Sequence, residues 1–133
     1  MAAFLSAFLA FFMHLVVALL LTGVFLLAYV RTTPHQEYEL IAKGNAAAAL
    51  GLMGALIGFA IVLSRAIVVS QGLGETLLWG LIGLCVQAAG HWALSRWLPR
   101  LYASIADGDL AAGIMKAGVA IGLGLLNAAS MTP

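Results

Sequence analysis

The side chains in this sequence that carry chemistry are few, and most of them lie inside apolar runs. Lys116 is the sharpest. It sits about two turns into the last run, Leu110 to about Ala129, where a cation costs about 2.5–3.5 kcal/mol on insertion scales. A charge placed there is either functional or carried back to the surface by its flexible stem. The Lys116 stem is long enough to reach toward Asp109 or Glu39, and that snorkelled arrangement is the expected one. Asn127 follows eleven residues later, about three turns, and so shares the Lys116 face. In the third run, Gln87 and His91 share a face with Gly80, Gly83 and Gly90. That face suits hydrogen bonds between helices or the lining of a polar cavity. His14 lies nearer the middle of the first run. An imidazole there either titrates in a proton pathway or bonds to a neighbouring helix, and the structural role is the expected one. Arg65, toward the end of the second run, can reach water or Glu75.

Between the first two runs, a polar loop from Arg31 to Gly44 holds Arg31, His35, Glu37, Glu39 and Lys43. His35, Glu37 and Glu39 are the nearest approach to a ligand set, and a zinc site needs three or four ligands in fixed geometry. Their spacing reads as a solvated loop. No Ser-His-Asp order, HExxH, phosphate loop or cysteine pair is present, and the glycines recur at helix-packing spacing. The single cysteine, Cys85, lies in an apolar run and implies neither a disulfide nor a metal. The expectation is a protein that is not an enzyme, with no catalytic residues, cofactor or metal.

The elements that must position these groups follow from hydropathy. Of 133 residues, 64% are hydrophobic and 8% charged, far from the balance of a soluble domain, and the mean hydropathy is +1.10. Four apolar runs are long enough to span a bilayer: about Phe4–Val30, Ala46–Val69, Thr76–Leu94 and Leu110–Ala129. The first is not expected to be a cleaved leader, because no Lys or Arg precedes it and it is too long. There is no lipidation motif. The net charge of +1 without a basic cluster excludes a nucleic-acid partner. Pro34 stops the first span, and Glu37–Ile41 reads as a short interfacial helix with Tyr38 at headgroup level. Gln71–Glu75 reads as a turn. Trp79, Trp92 and Trp97 read as interface anchors.

An internal echo organises the chain. Ile41-Ala42-Lys43-Gly44-Asn45 returns 64 residues later as Ile105-Ala106-Asp107-Gly108-Asp109, and Gly54 and Gly58 match Gly118 and Gly122. Asn45 and Asp109 stand where N-caps belong. Gly54-x-x-x-Gly58 and Gly118-x-x-x-Gly122 each form the small-x-x-x-small pattern that lets helix backbones meet in lipid. The expected fold is therefore an all-α membrane protein. One domain over residues 1–133 would hold four transmembrane helices as two tandem parallel-repeat hairpins, about 4–70 and about 75–130. The second and fourth spans would be the glycine-rich inner pair. Arg31, Lys43, Arg96 and Arg100 lie in the first and third connections, so those connections are expected in the cytoplasm and both termini in the periplasm.

The stretch Thr33-Pro34-His35-x-Glu37-Tyr38-x-Leu40-Ile41, followed by Asn45-x-Ala47-Ala48, resembles the YjfL-type family of small bacterial inner-membrane proteins. So does the close, Ala111-Ala112-Gly113 through Asn127-Ala128-Ala129-x-Met131-Thr132. The resemblance spans nearly the whole chain. It is carried by Pro34, His35, Glu37, Asn45 and Asn127 and does not extend to Arg65 or Lys116. It implies an inner-membrane location and a four-span fold without an assigned activity. It also implies proximity to phage-shock-type membrane-stress proteins, and so a role in envelope maintenance.

Two functional expectations follow. The favoured one is a non-enzymatic scaffold or envelope-stress accessory that presents Pro34, His35, Glu37 and Glu39 to a cytoplasmic or peripheral membrane-stress protein. The alternative is a small transporter or channel with His14, Gln87, His91, Lys116 and Asn127 lining its path. Besides the lipid bilayer, the remaining small faces suit a second copy of the chain, giving a homo-oligomer.

Overall fold

A computed structural model of the protein describes residues 1–34 and 36–132. Among the described residues the chain forms α1 (Ala2–Thr32), α2 (Glu37–Ala42), α3 (Ala46–Val69), α4 (Leu73–Trp97), α5 (Pro99–Ala106) and α6 (Leu110–Ser130). Helices α1, α3, α4 and α6, of 31, 24, 25 and 21 residues, are each long and apolar enough to cross a membrane. The protein is an all-α membrane protein with four spans. Successive spans reverse direction, so α3 and α6 run parallel and α2 and α5 lie at the same end of the bundle.

The boundaries follow local chemistry. Helix α1 ends before Pro34: Thr33 is already extended, with φ −86° and ψ 124°, as a residue preceding proline prefers. The expected turn at Gln71–Glu75 is shorter than the spacing suggested, because α4 begins at Leu73 with Glu75 in its first turn. Glu75 accepts a hydrogen bond from the Gln71 backbone N–H at 2.8 Å, a charge-favoured contact at a helix start. Helix α5 occupies the third connection, with Pro99 in its first turn, where the missing N–H is not needed.

Twice the chain turns from a short helix into a long one in the same way. Gly44 and Gly108 both have φ of 86°, a left-handed conformation that a side chain would strain. Asn45 N–H donates to Leu40 C=O at 2.9 Å, and Asp109 N–H donates to Ser104 C=O at 3.0 Å. Asn45 Oδ1 then accepts from Ala48 N–H, and Asp109 Oδ1 from Ala111 N–H, each at 3.0 Å. Both side chains are therefore the N-caps that their positions predict.

The core forms around α3. Leu21, Phe25 and Tyr29 of α1, spaced i, i+4 and i+8, are its only buried residues. Phe25 stacks on Phe59 of α3, with ring centroids 4.5 Å apart. A smaller apolar cluster, Ala47, Ala48, Ile105 and Ala112, lies under α2 and α5. The first half of α1, with Phe4, Phe8, Phe11 and Phe12, is exposed, as suits a surface facing lipid.

Helices α3 and α6 make the closest pair. A Cβ built on Gly54 would collide with the Ala117 backbone, one on Gly58 with the Ala120 carbonyl, and one on Gly113 with the Ala47 backbone. Gly124 lies against the Gly58 backbone in the same way. Gly54 and Gly58 thus line the α3 side of this contact. Gly118 and Gly122 take no part in it: no atom of a neighbouring helix comes within 4 Å of a Cβ at either. The α6 face that meets α3 is Gly113, Ala117, Ala120 and Gly124. The physical reason is that Lys116 and Asn127 face inward on α6. Residues two apart on a helix point about 200° away from each other, so burying Lys116 turns Gly118 outward.

Candidate functional site

Three polar side chains from three helices meet inside the end of the bundle that α2 and α5 close. Tyr29 comes from the last turn of α1, Glu37 from the first residue of α2, and Lys116 from α6. Lys116 Nζ lies 3.1 Å from Glu37 Oε1 and also donates to the Tyr29 hydroxyl. Tyr29 in turn donates to Glu37 Oε1 at 2.8 Å. Lys116 is 0% exposed and Glu37 1%, so this pair is withdrawn from water and lipid alike. Lys116 therefore does not snorkel to Asp109 or Glu39. Its stem stays inside because a counter-charge has been folded in to meet it, which is the condition under which a buried charge is tolerable.

Aromatic rings complete the chamber. Lys116 Nζ stands 4.8 Å from the ring centroids of both Tyr29 and Tyr102, within cation–π range. Burial, and then the Glu37 carboxylate, hold the Tyr102 phenol of α5 well above the usual tyrosine range, so it stays protonated. The chamber also explains a glycine. A Cβ on Gly51 would lie 3.1 Å from Lys116 Cδ and 3.4 Å from Glu37 Oε1, so α3 leaves this room by having no side chain there.

A polar column leads from the chamber into the bundle. The His91 ring of α4 meets Tyr29 edge-on, with centroids 5.0 Å apart, and lies beside Phe25 at 5.9 Å. One turn deeper is Gln87, whose Nε2 is 3.5 Å from the Ala120 carbonyl of α6. Beyond it, Asn127 Nδ2 donates to the Gly83 carbonyl at 3.0 Å. At the far end Arg65 Nε donates to the Met131 carbonyl at 3.2 Å, rather than reaching Glu75. Gln87, His91, Lys116 and Asn127 are all buried on inward faces. His14 stands apart on the outward half of α1, with Nδ1 2.7 Å from its own helix's Ala10 carbonyl.

The polar loop behaves differently from its sequence expectation. Pro34 and Glu39 are exposed, while Glu37 faces the core. His35 lies outside the described residues. Among the described residues no three His, Cys, Asp or Glu side chains gather as a metal site would need. Tyr29 and Tyr102 were not singled out by sequence reasoning. The signal for Tyr29 was available: it continues the Leu21 and Phe25 stripe and ends it with a hydroxyl. Asn45 also does more than cap. Its Nδ2 donates to the Ile105 and Ala106 carbonyls at 2.8 and 3.2 Å, tying the start of α3 to the end of α5.

Comparison with known proteins places this architecture. A family model described as Domain of Unknown Function (DUF350) matches residues 3–131. The chain belongs to the DUF350 family. The UPF0719 inner membrane protein YjfL of Escherichia coli (strain K12) is 33% identical over 128 residues, covering 96% of this chain and 97% of that one. The UPF0719 transmembrane protein YshE of Bacillus subtilis (strain 168) is 26% identical over 117 residues, covering 86% and 87%. No solved structure matches. The family thus carries the expected resemblance over almost the full chain, and it assigns no activity to the buried chamber.

Proposed function

We propose that this DUF350 protein is an integral inner-membrane transport protein, with the Glu37–Lys116–Tyr29 chamber as its charged gate and the His91–Gln87–Asn127 column as its path. The inner-membrane location rests on YjfL, whose name carries it. The observation that supports transport is the complete burial of a hydrogen-bonded ion pair between a span, α6, and the short helix α2. A scaffold needs no such pair. Apolar residues of similar volume would hold the helices at least as firmly, and ionisable groups inside a membrane mark ion and proton pathways.

The test is flux through purified protein in liposomes under imposed ion gradients. Wild-type protein should raise flux of at least one inorganic ion or of protons above that of empty vesicles. Lys116→Met and Glu37→Gln should each lower it at least tenfold, with Gly118→Leu as a wild-type-like control. Flux no greater than in empty vesicles would sink the reading.

A second reading keeps support from one observation. Tyr38 and Glu39 of α2 and Arg100 of α5 are exposed at the same end of the bundle. They make a surface that a cytoplasmic or peripheral stress-response protein can engage. Glu37 no longer belongs to that surface. In-membrane cross-linking followed by recovery of a stoichiometric partner, lost in Glu39→Lys, would favour this role.

A further inference from the structure

The column contains two buried polar atoms that the protein leaves unanswered. His91 Nε2 and Gln87 Oε1 have no hydrogen-bond partner among the described residues. His91 is 3% exposed and Gln87 0%. A buried acceptor without a partner costs about 1–3 kcal/mol, and two such atoms one turn apart on the same face of α4 are not a packing accident of one side chain. Buried sites of this kind are answered by water.

We propose that His91 and Gln87 hold water in the bundle and pass protons through it, so that the transported species is the proton. This rests on the transport reading above and narrows it to one substrate. The exclusion of larger species is steric. Helices α3 and α6 touch backbone to backbone at Gly54, Gly58, Gly113 and Gly124, which closes the seam between them to a hydrated ion or a solute. Protons need only a chain of polar atoms and water.

The titratable groups around His91 are Tyr29 from α1, Glu37 from α2 and Lys116 from α6, with Tyr102 of α5 against Lys116; α3 contributes no titratable side chain to it. Glu37 and Lys116 offset each other's charge, which leaves the His91 imidazole as the group of the column that can take up and give back a proton. The step is a simple relay. Imidazole takes a proton from water on the chamber side and becomes imidazolium. It then returns a proton to the water at Gln87 Oε1 and becomes neutral again. No other bond forms or breaks. Clefts approach both ends of the column: one of about 340 Å³ beside Tyr102, Pro99 and Pro34, and one of about 380 Å³ beside Arg65 and Ala128.

The experiment uses the full chain in liposomes holding a pH-sensitive dye, with a potassium gradient and valinomycin to drive proton entry. Wild-type protein should acidify the lumen. His91→Phe, which keeps a ring against Tyr29 and Phe25, should lose at least tenfold in rate, and Gln87→Leu should lose a similar amount. Both variants should keep the wild-type unfolding midpoint, and a solvent deuterium isotope effect should be present in wild type and absent from the residual rate. Wild-type-like proton flux in folded His91→Phe would overturn the proposal. So would flux of potassium, sodium or chloride that responds to Lys116→Met but not to His91→Phe, an outcome that leaves the transport reading standing. Absence of any flux removes both. If His91→Phe fails to fold, imidazole titration followed by nitrogen NMR on wild-type protein in lipid decides: an imidazole that neither titrates nor exchanges with water between pH 5 and 9 overturns the proposal.

Discussion

Removing one partner of a buried ion pair leaves the other charge with neither water nor counter-charge, a loss of about 3–5 kcal/mol. For Lys116 and Glu37, 0% and 1% exposed, that arithmetic gives a sharp expectation. Lys116→Met should destabilise the protein by about that amount, measured by denaturation in mixed micelles. Lys116→Met with Glu37→Gln should recover most of it, because no lone charge remains. A double variant as unstable as the single one would show that the pair's attraction, rather than its mutual need, holds α2 in place. Tyr102 gives the pH dependence. Its phenol is held above the usual range by burial and Glu37, so the fold favours the protonated form. That contribution is full below about pH 10, the ordinary tyrosine value, and is lost as pH rises beyond it. Tyr102→Phe should flatten the alkaline side of the stability profile, and an unchanged alkaline slope would assign that loss to another group. The ion pair itself was not readable in the sequence. Its partners are 79 residues apart, one in a loop helix and one in a span, and helical periodicity reports which face a residue occupies without naming what it meets.

Helix existence and length were readable because the bilayer imposes them: four apolar runs became four spans, and the α3 boundaries, Ala46–Val69, match the run residue for residue. Caps were readable because Asn and Asp satisfy free N–H groups wherever they precede a helix. Which face of α6 turns inward was not, because two criteria competed. Glycine spacing favoured Gly118 and Gly122, while burial of Lys116 and Asn127 favoured the opposite side, and the polar criterion won. Gly54→Leu and Gly124→Leu should therefore each disrupt the α3–α6 pair and lower thermal stability in lipid strongly. Gly118→Leu and Gly122→Leu should be tolerated. Equal damage from all four would place α6 wrongly. The two junctions differ in one atom group that matters. Asn45 bonds the α5 carbonyls through an amide that Asp109 does not have. Asn45→Asp keeps the cap but sets a carboxylate against two carbonyls, and should cost more than 1 kcal/mol. Asp109→Asn should cost a few tenths, since Asn and Asp cap about equally well. Similar losses at the two sites would mean that the α3–α5 tie is not energetically distinct.

At the scale of the whole molecule, charge decides orientation. Four spans put both termini on one side of the membrane and α2 and α5 on the other. The α2–α5 end carries Arg31, Lys43, Arg96 and Arg100, and the segments at the opposite end carry only Arg65, which is bound to the Met131 carbonyl. Cationic loops are retained in the cytoplasm during insertion, so the chamber should open toward the cytoplasm and the termini should face the periplasm. Cysteine labelling tests this directly in a Cys85→Ser background, because Cys85 is exposed on α4 and would confuse the readout. A membrane-impermeant maleimide applied to intact spheroplasts should label Thr132→Cys. It should label Asp107→Cys and Ala42→Cys only after lysis. The reverse pattern would place the Glu37–Lys116 chamber outside, and the direction of any flux through His91 would reverse with it. Labelling of all three before lysis would mean that the chain inserts in both orientations. In that case the four cations would be too weak a bias, and a dimer of opposed copies would become the natural assembly.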